Sequence, residues 1–271
     1  MSAHGFTAGL VLIRGAGDIA SGIAHRLHRA GLAVVMAEAA QPRALRRAVS
    51  FAGAVYDGSI TVEGVVAQRA ASPGEAQALV AQGRIAVIVD PDGHMAGALR
   101  PEVIVDAIMA KRNLGTRQGA APLVIGVGPG FVAGGDVDAV IETMRGHNLG
   151  RVIYEGSAAA NTGVPGEVLG YTRERVVWSP AAGTLRGGLA IGARVAAGDA
   201  VAEIAGLPVV ATVGGVLRGL LRNGLSASAG EKIGDVDPRG VAAYCFTISD
   251  KARAVGGAVL EAIIHARPSR T

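Results

Sequence analysis

Val11-Leu12-Ile13-Arg14-Gly15-Ala16-Gly17-Asp18-Ile19-Ala20-Ser21-Gly22 reads as an apolar strand that runs into a glycine loop and then into an amphipathic helix. This is how an open α/β sheet builds a ligand site. A helix N-terminus offers unpaired N–H groups and partial positive charge, and glycines let the backbone approach an anion. Ile19, Ile23, Ala24 and Leu27 recur at helical spacing, Gly31 ends the helix, and residues 33–37 read as a second strand. Glu38 closes that strand, where an acidic residue can accept hydrogen bonds from ribose hydroxyls. Gly15, Gly17 and Ala20 fit G-x-G-x-x-G/A, so the first unit is expected to be Rossmann-like. Asp18 either caps the helix or sets negative charge where a pyrophosphate would lie.

Composition bounds the rest. The 271 residues allow one large or two small domains, and a sizeable core. The formal net charge of +4 is spread without a basic run, which argues against a nucleic-acid partner. Basic residues are almost all arginine; the lysines are Lys111, Lys232 and Lys251. The single cysteine, Cys245, excludes an intrachain disulfide and a Cys-x-x-Cys metal site, and its neighbours Tyr244 and Phe246 suggest a buried thiol. The opening residues lack the features of a secretory signal. The longest uncharged run, residues 118–135, is broken by Pro122, Pro129 and the five glycines from Gly126 to Gly135, too short and broken for a membrane span. A cytoplasmic protein with no membrane partner is expected.

Residues 42–48 suggest a short helix whose Arg43, Arg46 and Arg47 form a solvated face, or else an anion patch near the glycine loop. Ser72-Pro73-Gly74-Glu75 is a helix start with serine as N-cap and glutamate three residues on. Residues 85–90 read as a buried strand ending in Asp90. Residues 103–110 are ambiguous, with a strand preferred and Asp106 inside it. Leu123-Val124-Ile125-Gly126-Val127-Gly128-Pro129-Gly130-Phe131 repeats the opening logic of a strand discharging into glycines. Ligands bind outside the carboxyl ends of parallel strands, so two such loops point to one crevice. Alternation around residues 137–154 favours a β-hairpin over a helix. His147, at its turn, reads as a solvated residue rather than a metal ligand.

A repeat of 32 residues then appears. Gly183, Leu185, Gly187, Leu189, Gly192, Gly198 and Val201 correspond to Gly215, Leu217, Gly219, Leu221, Gly224, Gly230 and Ile233. Two copies of one small β unit, with glycine turns, point to a compact sandwich or barrel. This portion resembles the barrel-sandwich hybrid fold of biotinyl and lipoyl carrier domains. Carriers bear their cofactor on a lysine between the halves. Here that connection, residues 203–210, has none, so no covalent biotin or lipoyl group is expected. The chain closes with Ser249 capping an amphipathic helix in which Val255, Val259, Leu260, Ile263 and Ile264 form a stripe, expected to pack back on a sheet. Lys251 and Arg253 have an alternative reading as anion ligands.

The segments 14–22, 128–131, 142–147, 232–239 and 248–253, in this order, resemble the YqeB family, the selenium-dependent molybdenum hydroxylase system (maturation) proteins. The resemblance covers residues 11–264 and implies an accessory role in preparing the molybdenum cofactor of hydroxylases. The implied partners are the hydroxylase apoenzyme and other maturation factors, with a homo-oligomer open. The distantly similar XdhC accessory proteins also join a Rossmann unit to cofactor handling. Their cysteine-bearing features are not evident here, which leaves direct sulfur or selenium transfer without support.

The expected organisation is α/β. A Rossmann-like parallel sheet (residues 1–170) precedes a duplicated β module (171–240) and a C-terminal helix (241–271) that returns to the first domain. The expected cofactor-binding set is Gly15, Gly17, Asp18, Ser21, Gly22, Glu38, Gly128 and Gly130. Backbone N–H groups of the two loops would hold the anion of a molybdenum cofactor or a nucleotide, NAD included. Asp18 or Ser21 would orient it, and Glu38 would meet a ribose. Asp136, Arg145, Asp235 and Arg239 are weaker candidates for the opposite wall. No catalytic residue and no metal site is assigned. The alternatives are an NAD(P)-dependent oxidoreductase with an appended β module, and a non-catalytic scaffold for a hydroxylase.

Overall fold

The computed structural model describes residues 9–266. The expectations that fall on residues 1–8 and 267–271, among them the reading of the opening residues and the outer domain ends, lie outside the described residues. The chain forms two compact units. Among the described residues, one comprises 9–42, 51–161 and 249–266, and the other 43–50 and 162–248.

In chain order the first unit contains β1 (Val11–Arg14), α1 (Asp18–Arg29), β2 (Val34–Glu38), α2 (Gly53–Asp57), β3 (Ser59–Val62), β4 (Val65–Ala70) and α3 (Pro73–Ala81). There follow β5 (Ile85–Val89), α4 (Ala96–Leu99), β6 (Val103–Asp106), β7 (Leu123–Val127), β8 (Ala139–Ile141), β9 (Val152–Ile153) and α5 (Asp250–His265). The nine strands form one sheet in the order β3-β4-β5-β2-β1-β6-β7-β8-β9. All neighbours are parallel except the antiparallel edge pairs β3–β4 and β8–β9. The expected hairpin at 137–154 is thus the β8–β9 pair, with Val140 opposite Ile153.

β1 pairs Leu12 with Val35 of β2 on one side and with Ile104 of β6 on the other. The chain therefore leaves β1 in one direction and returns to its other flank at β6. That is a topological switch point, where open sheets part their loops and admit a ligand. Central strands buried on both faces read as continuous apolar runs, as Val11-Leu12-Ile13 and Val34-Val35-Met36 do. On one face Leu12, Val35, Ile88, Ile104, Val124 and Val140 pack with Ala76 and Leu79 of α3 and Leu99 of α4. α1 and α5 lie against each other, α1 touching β1 and β2 and α5 touching β7, β8 and β9. The expected start of α3 is present: the Ser72 cap accepts from the Glu75 N–H, and Glu75 accepts from the N–H of Ala71, one residue before the cap.

Two local expectations are corrected. The strand expected over 103–110 stops at Asp106 because the Arg14 side chain and Thr116 hold the Asp106 carboxylate, and the backbone then turns through Met109 and Lys111 at φ 64° and 63°. The short basic helix expected at 42–48 is instead a single 3₁₀ turn, Arg47–Val49. Residues 43–50 belong to the second unit, where Arg43 pairs with Glu231 and Arg46 donates to the carbonyls of Tyr244 and Thr247.

The second unit contains β10 (Val176–Trp178), β11 (Gly183–Arg186), β12 (Arg194–Val195), β13 (Ala200–Ile204), β14 (Leu207–Val210), β15 (Gly215–Leu220), β16 (Ser226–Ala227) and β17 (Lys232–Asp237). They form two four-stranded sheets, β10-β17-β15-β12 and β14-β13-β11-β16. A shift of 32 residues carries β11, β12 and β13, which start at 183, 194 and 200, onto β15, β16 and β17, which start at 215, 226 and 232. The same exchange carries each sheet onto the other. Core residues obey it too: Val177 with Val209, Leu185 with Leu217, Val195 with Ala227, Val201 with Ile233, and Ile204 with Val236. The halves join through a tight turn at Ala205-Gly206, both at positive φ (53° and 77°), as a type I′ hairpin requires. Cys245 is fully buried, and burial pushes its thiol pKa up.

Asp235 and Arg239, considered for a ligand wall, belong to a charge network in this unit. Arg175 and Arg218 both donate to Asp235 Oδ2, at 3.0 and 2.7 Å, and Arg239 donates to both oxygens of Asp237. Their charges are spent on one another.

Candidate functional site

The loops at the carboxyl ends of β1, β6 and β7 meet. Gly15 (φ 93°) is so close to the segment after β6 that a Cβ there would lie 3.0 Å from the Ala107 carbonyl oxygen. Gly128 (φ 83°) faces the same segment at Met109 and faces Thr143, which follows β8. A Cβ on Gly130 (φ 111°) would lie 2.7 Å from the Arg112 backbone. Both glycine loops therefore clasp residues 107–112. Met109 and Lys111 in that segment are two of six non-glycine residues at positive φ among the described residues, a conformation that costs on the order of 1–3 kcal/mol and concentrates at ligand sites.

The segment is also tied down from behind. Arg14, the last residue of β1, donates to Asp106, to Thr116 Oγ1 and to the Leu114 carbonyl. Thr116 donates to Asp106 at 2.6 Å, and Asn113 brackets Thr116 through two backbone hydrogen bonds. Sequence reasoning passed over this network. The cue was an arginine and an aspartate at the ends of two strands that the topology makes neighbours.

The expected set divides. Gly17 is the N-cap residue of α1; its backbone is extended, no side chain caps the helix, and a Cβ on it would meet nothing within 4 Å. It stands at an open mouth. Asp18 is the first helical residue and does not serve as the cap. It lies within electrostatic reach of Lys251. Ser21 is fully buried, donating to the Ala16 carbonyl and accepting from the Phe51 N–H, so it braces the loop from inside and does not orient a ligand. Gly22 belongs to a helix contact: a Cβ there would lie 2.6 Å from Ala252 Cβ in α5. Glu38 accepts from the Ala16 and Ala39 N–H groups, both at 2.7 Å. It stabilises the loop, and it occupies an N–H that a pyrophosphate in a dinucleotide loop would claim.

α5 supplies what the glycine motifs did not. Asp18 is near Lys251, Gly22 meets Ala252, and Gly256 meets Gly22 and Arg26, so α1 and α5 run in the same sense and present their N-termini side by side. Ser249 caps α5 by accepting from the Ala252 N–H. Arg145, a weaker candidate, is bound bidentately by Asp250 at 2.6 and 3.1 Å. Asp136 accepts from the Val132 N–H within its own turn. Arg253 pairs with Glu63. Lys251 has Lys111, Arg145, Asp18 and Glu142 around it. Burial first, then the charges of Lys111 and Arg145, hold its pKa below the usual lysine value despite the two carboxylates.

Glu142 continues the site beyond β8. Its oxygens accept from the Met144 N–H at 2.6 Å and the Ala159 N–H at 2.7 Å. With Asn148, Arg151, Tyr154, Glu155 and Ser157 it lines a cavity of about 530 Å³, within the size range of small-molecule sites. Among the described residues no cluster of three His, Cys, Asp or Glu side chains is placed to hold a metal ion, and no helix is long and apolar enough to cross a membrane.

Over 255 residues, 94% of this chain, the sequence is 53% identical to an uncharacterized protein of Escherichia coli (strain K12) named YqeB. Membership of the YqeB family is supported. The chain spans 47% of that relative's length, about half of it. No family model matches the sequence, and no solved structure matches it.

Proposed function

We propose that this chain is an accessory protein in the maturation of molybdenum hydroxylases and holds a phosphorylated cofactor, of the molybdopterin type or a nucleotide used in its handling, in the crevice beside β1. The observation that carries the reading is the meeting of two glycine loops and two parallel helix N-termini at the switch point between β1 and β6. Backbone N–H groups with no side-chain cap at Gly17 suit a phosphoryl oxygen. The cavity beyond Glu142, lined by polar side chains, suits a heterocycle with donors and acceptors on its edge. A Rossmann dinucleotide is disfavoured because Glu38 already holds the Ala16 N–H.

The test uses thermal stabilisation of the purified protein by isolated molybdenum cofactor, CTP, GTP, NAD and NADP. A ligand at about 100 times its Kd adds roughly 2.7 kcal/mol to stability. Stabilisation by the cofactor or a mononucleotide is expected, and its loss in Gly17→Phe, whose side chain enters open space without unfolding α1. Stabilisation by NAD alone overturns the maturation role.

A further inference from the structure

We infer that Lys111 and Lys251 form a two-lysine clamp for a phosphate dianion, a phosphate monoester or a diphosphate end, facing the glycine loops. This rests on the anion-site reading above and names the groups that carry the ligand's charge.

The two lysines come from separate elements. Lys111 lies in the segment clasped by Gly130, and Lys251 in the first turn of α5. Lys111 is exposed and Lys251 half-buried, but the backbone of each is held in place. Lys111 adopts φ 63°, and a Cβ on Gly130 would lie 2.9 Å from the Lys111 carbonyl carbon. Lys251 is fixed by the Ser249 cap and by the contact of the next residue, Ala252, with Gly22. Among the described residues neither lysine makes a hydrogen bond or an ion pair.

The nearby carboxylates are engaged elsewhere in part: Asp250 by Arg145, and Glu142 by two backbone N–H groups. Asp18 remains within reach of Lys251 from α1. Even so, burial and the charges of Lys111 and Arg145 outweigh Asp18 and Glu142 at Lys251, in the direction of losing its proton. Lys251, partly desolvated and pressed by the charges of Lys111 and Arg145, is in an unfavourable arrangement that a dianion beside it relieves.

Composition supports the assignment independently. Of 26 basic residues only three are lysine, and two of the three lie within electrostatic reach of each other here. The planar guanidinium suits fixed ion pairs, as in the Arg175, Arg218 and Arg239 network. The compact ammonium is a point charge that suits a phosphate approached by backbone N–H groups from the other side.

The test is calorimetric titration of the full chain with inorganic pyrophosphate, on wild type, Lys111→Ala, Lys251→Met and Lys251→Arg. Removing either lysine is expected to weaken binding about 10–100-fold, as for a charge-assisted hydrogen bond. Binding should draw a proton onto Lys251, seen as heats that depend on buffer ionisation in titrations run just below the ordinary lysine value of 10.5. That uptake should vanish in Lys251→Met and in Lys251→Arg, because arginine is already charged. Unchanged affinity in both single variants, with wild type binding, overturns the clamp while leaving the anion site standing. No binding to wild type overturns both.

Discussion

Replacing Gly22 by alanine sets two effects of similar size against each other. In a helix interior the exchange gains about 1 kcal/mol of intrinsic preference. At Gly22, however, the new methyl would sit 2.6 Å from Ala252 Cβ and 3.0 Å from the Ala252 carbonyl oxygen. Carbon atoms pack best at about 3.5–4.0 Å, so α1 and α5 must part by roughly 1 Å. Overpacking of this kind costs about 1–3 kcal/mol. A carbonyl is backbone and cannot rotate away, so the cost is expected in the upper half of that range, leaving Gly22→Ala destabilising by about 1–2 kcal/mol. Gly257 is the internal control, because a Cβ there meets nothing within 4 Å in the same helix pair. Gly257→Ala is expected to stabilise by about 0.5–1 kcal/mol. The assay is urea unfolding followed by far-ultraviolet circular dichroism. The helical signal reports on the first unit, which holds all five α-helices found among the described residues, while the single tryptophan, Trp178, lies in the other. Equal stabilisation by both exchanges would refute the close-contact reading of α1 and α5.

Other expectations follow from single contacts. Lys251→Met should raise stability at neutral pH. The folded protein holds the Lys251 pKa below its ordinary 10.5, so in the window between the two values the unfolded chain binds more protons and wild-type stability rises with pH. The advantage of the variant should therefore shrink as pH climbs through that window, which urea midpoints across pH will show. Asp237→Asn should cost about 1.5–3 kcal/mol, measured by Trp178 fluorescence, because it removes the charge-assisted hydrogen bonds from Arg239, while Arg218 keeps Asp235. Burial alone would raise the Asp237 carboxyl, but hydrogen bonds from Arg239 and the charge of Arg218 hold it below its ordinary 3.8. Its contribution should thus be present above that value and fade as pH falls through the lower folded one. Ala205→Gly should stabilise the second unit by about 0.5–1 kcal/mol, since alanine at φ 53° is strained where glycine is not. Glu38→Ala should weaken pyrophosphate binding, read calorimetrically, by freeing the Ala16 N–H and loosening the loop.

Where structure depends on neighbours in the chain, the sequence was readable. The β1–loop–α1 unit followed from apolar runs and helical spacing, and the β module from a 32-residue repeat whose core pairs, such as Leu185 with Leu217, are the residues that fill it. The β3–β4 hairpin was also within reach. Ser59-Ile60-Thr61-Val62 and Val65-Val66-Ala67 flank Glu63-Gly64, both at positive φ in a two-residue turn. Residues 43–50 were not readable, because their place depends on distant partners. The Leu45 carbonyl accepts from the Leu220 N–H, and a Cβ on Gly219 would lie 3.2 Å from that same carbonyl.

The glycine motif shows why the site was harder to read than the fold. Gly15, Gly17 and Gly22 stand close together in the sequence and look equivalent, yet each is glycine for a different reason. Gly15 makes room for the backbone after β6, Gly17 leaves the mouth of α1 open, and Gly22 lets α5 approach. The distinction lies in what a side chain would touch, and those atoms belong to residues 107–108 and 252, far along the chain. The same holds for charge. The sequence sets Asp18 where a phosphate would lie, but it stands within electrostatic reach of Lys251, more than two hundred residues away, brought there by two helices that glycines allow to pack closely. Helix contact and anion site are therefore coupled. If a methyl at Gly22 parts α1 from α5, Lys251 should move away from the glycine loop, so Gly22→Ala should weaken pyrophosphate binding as well as stability, whereas Gly257→Ala should leave binding unchanged.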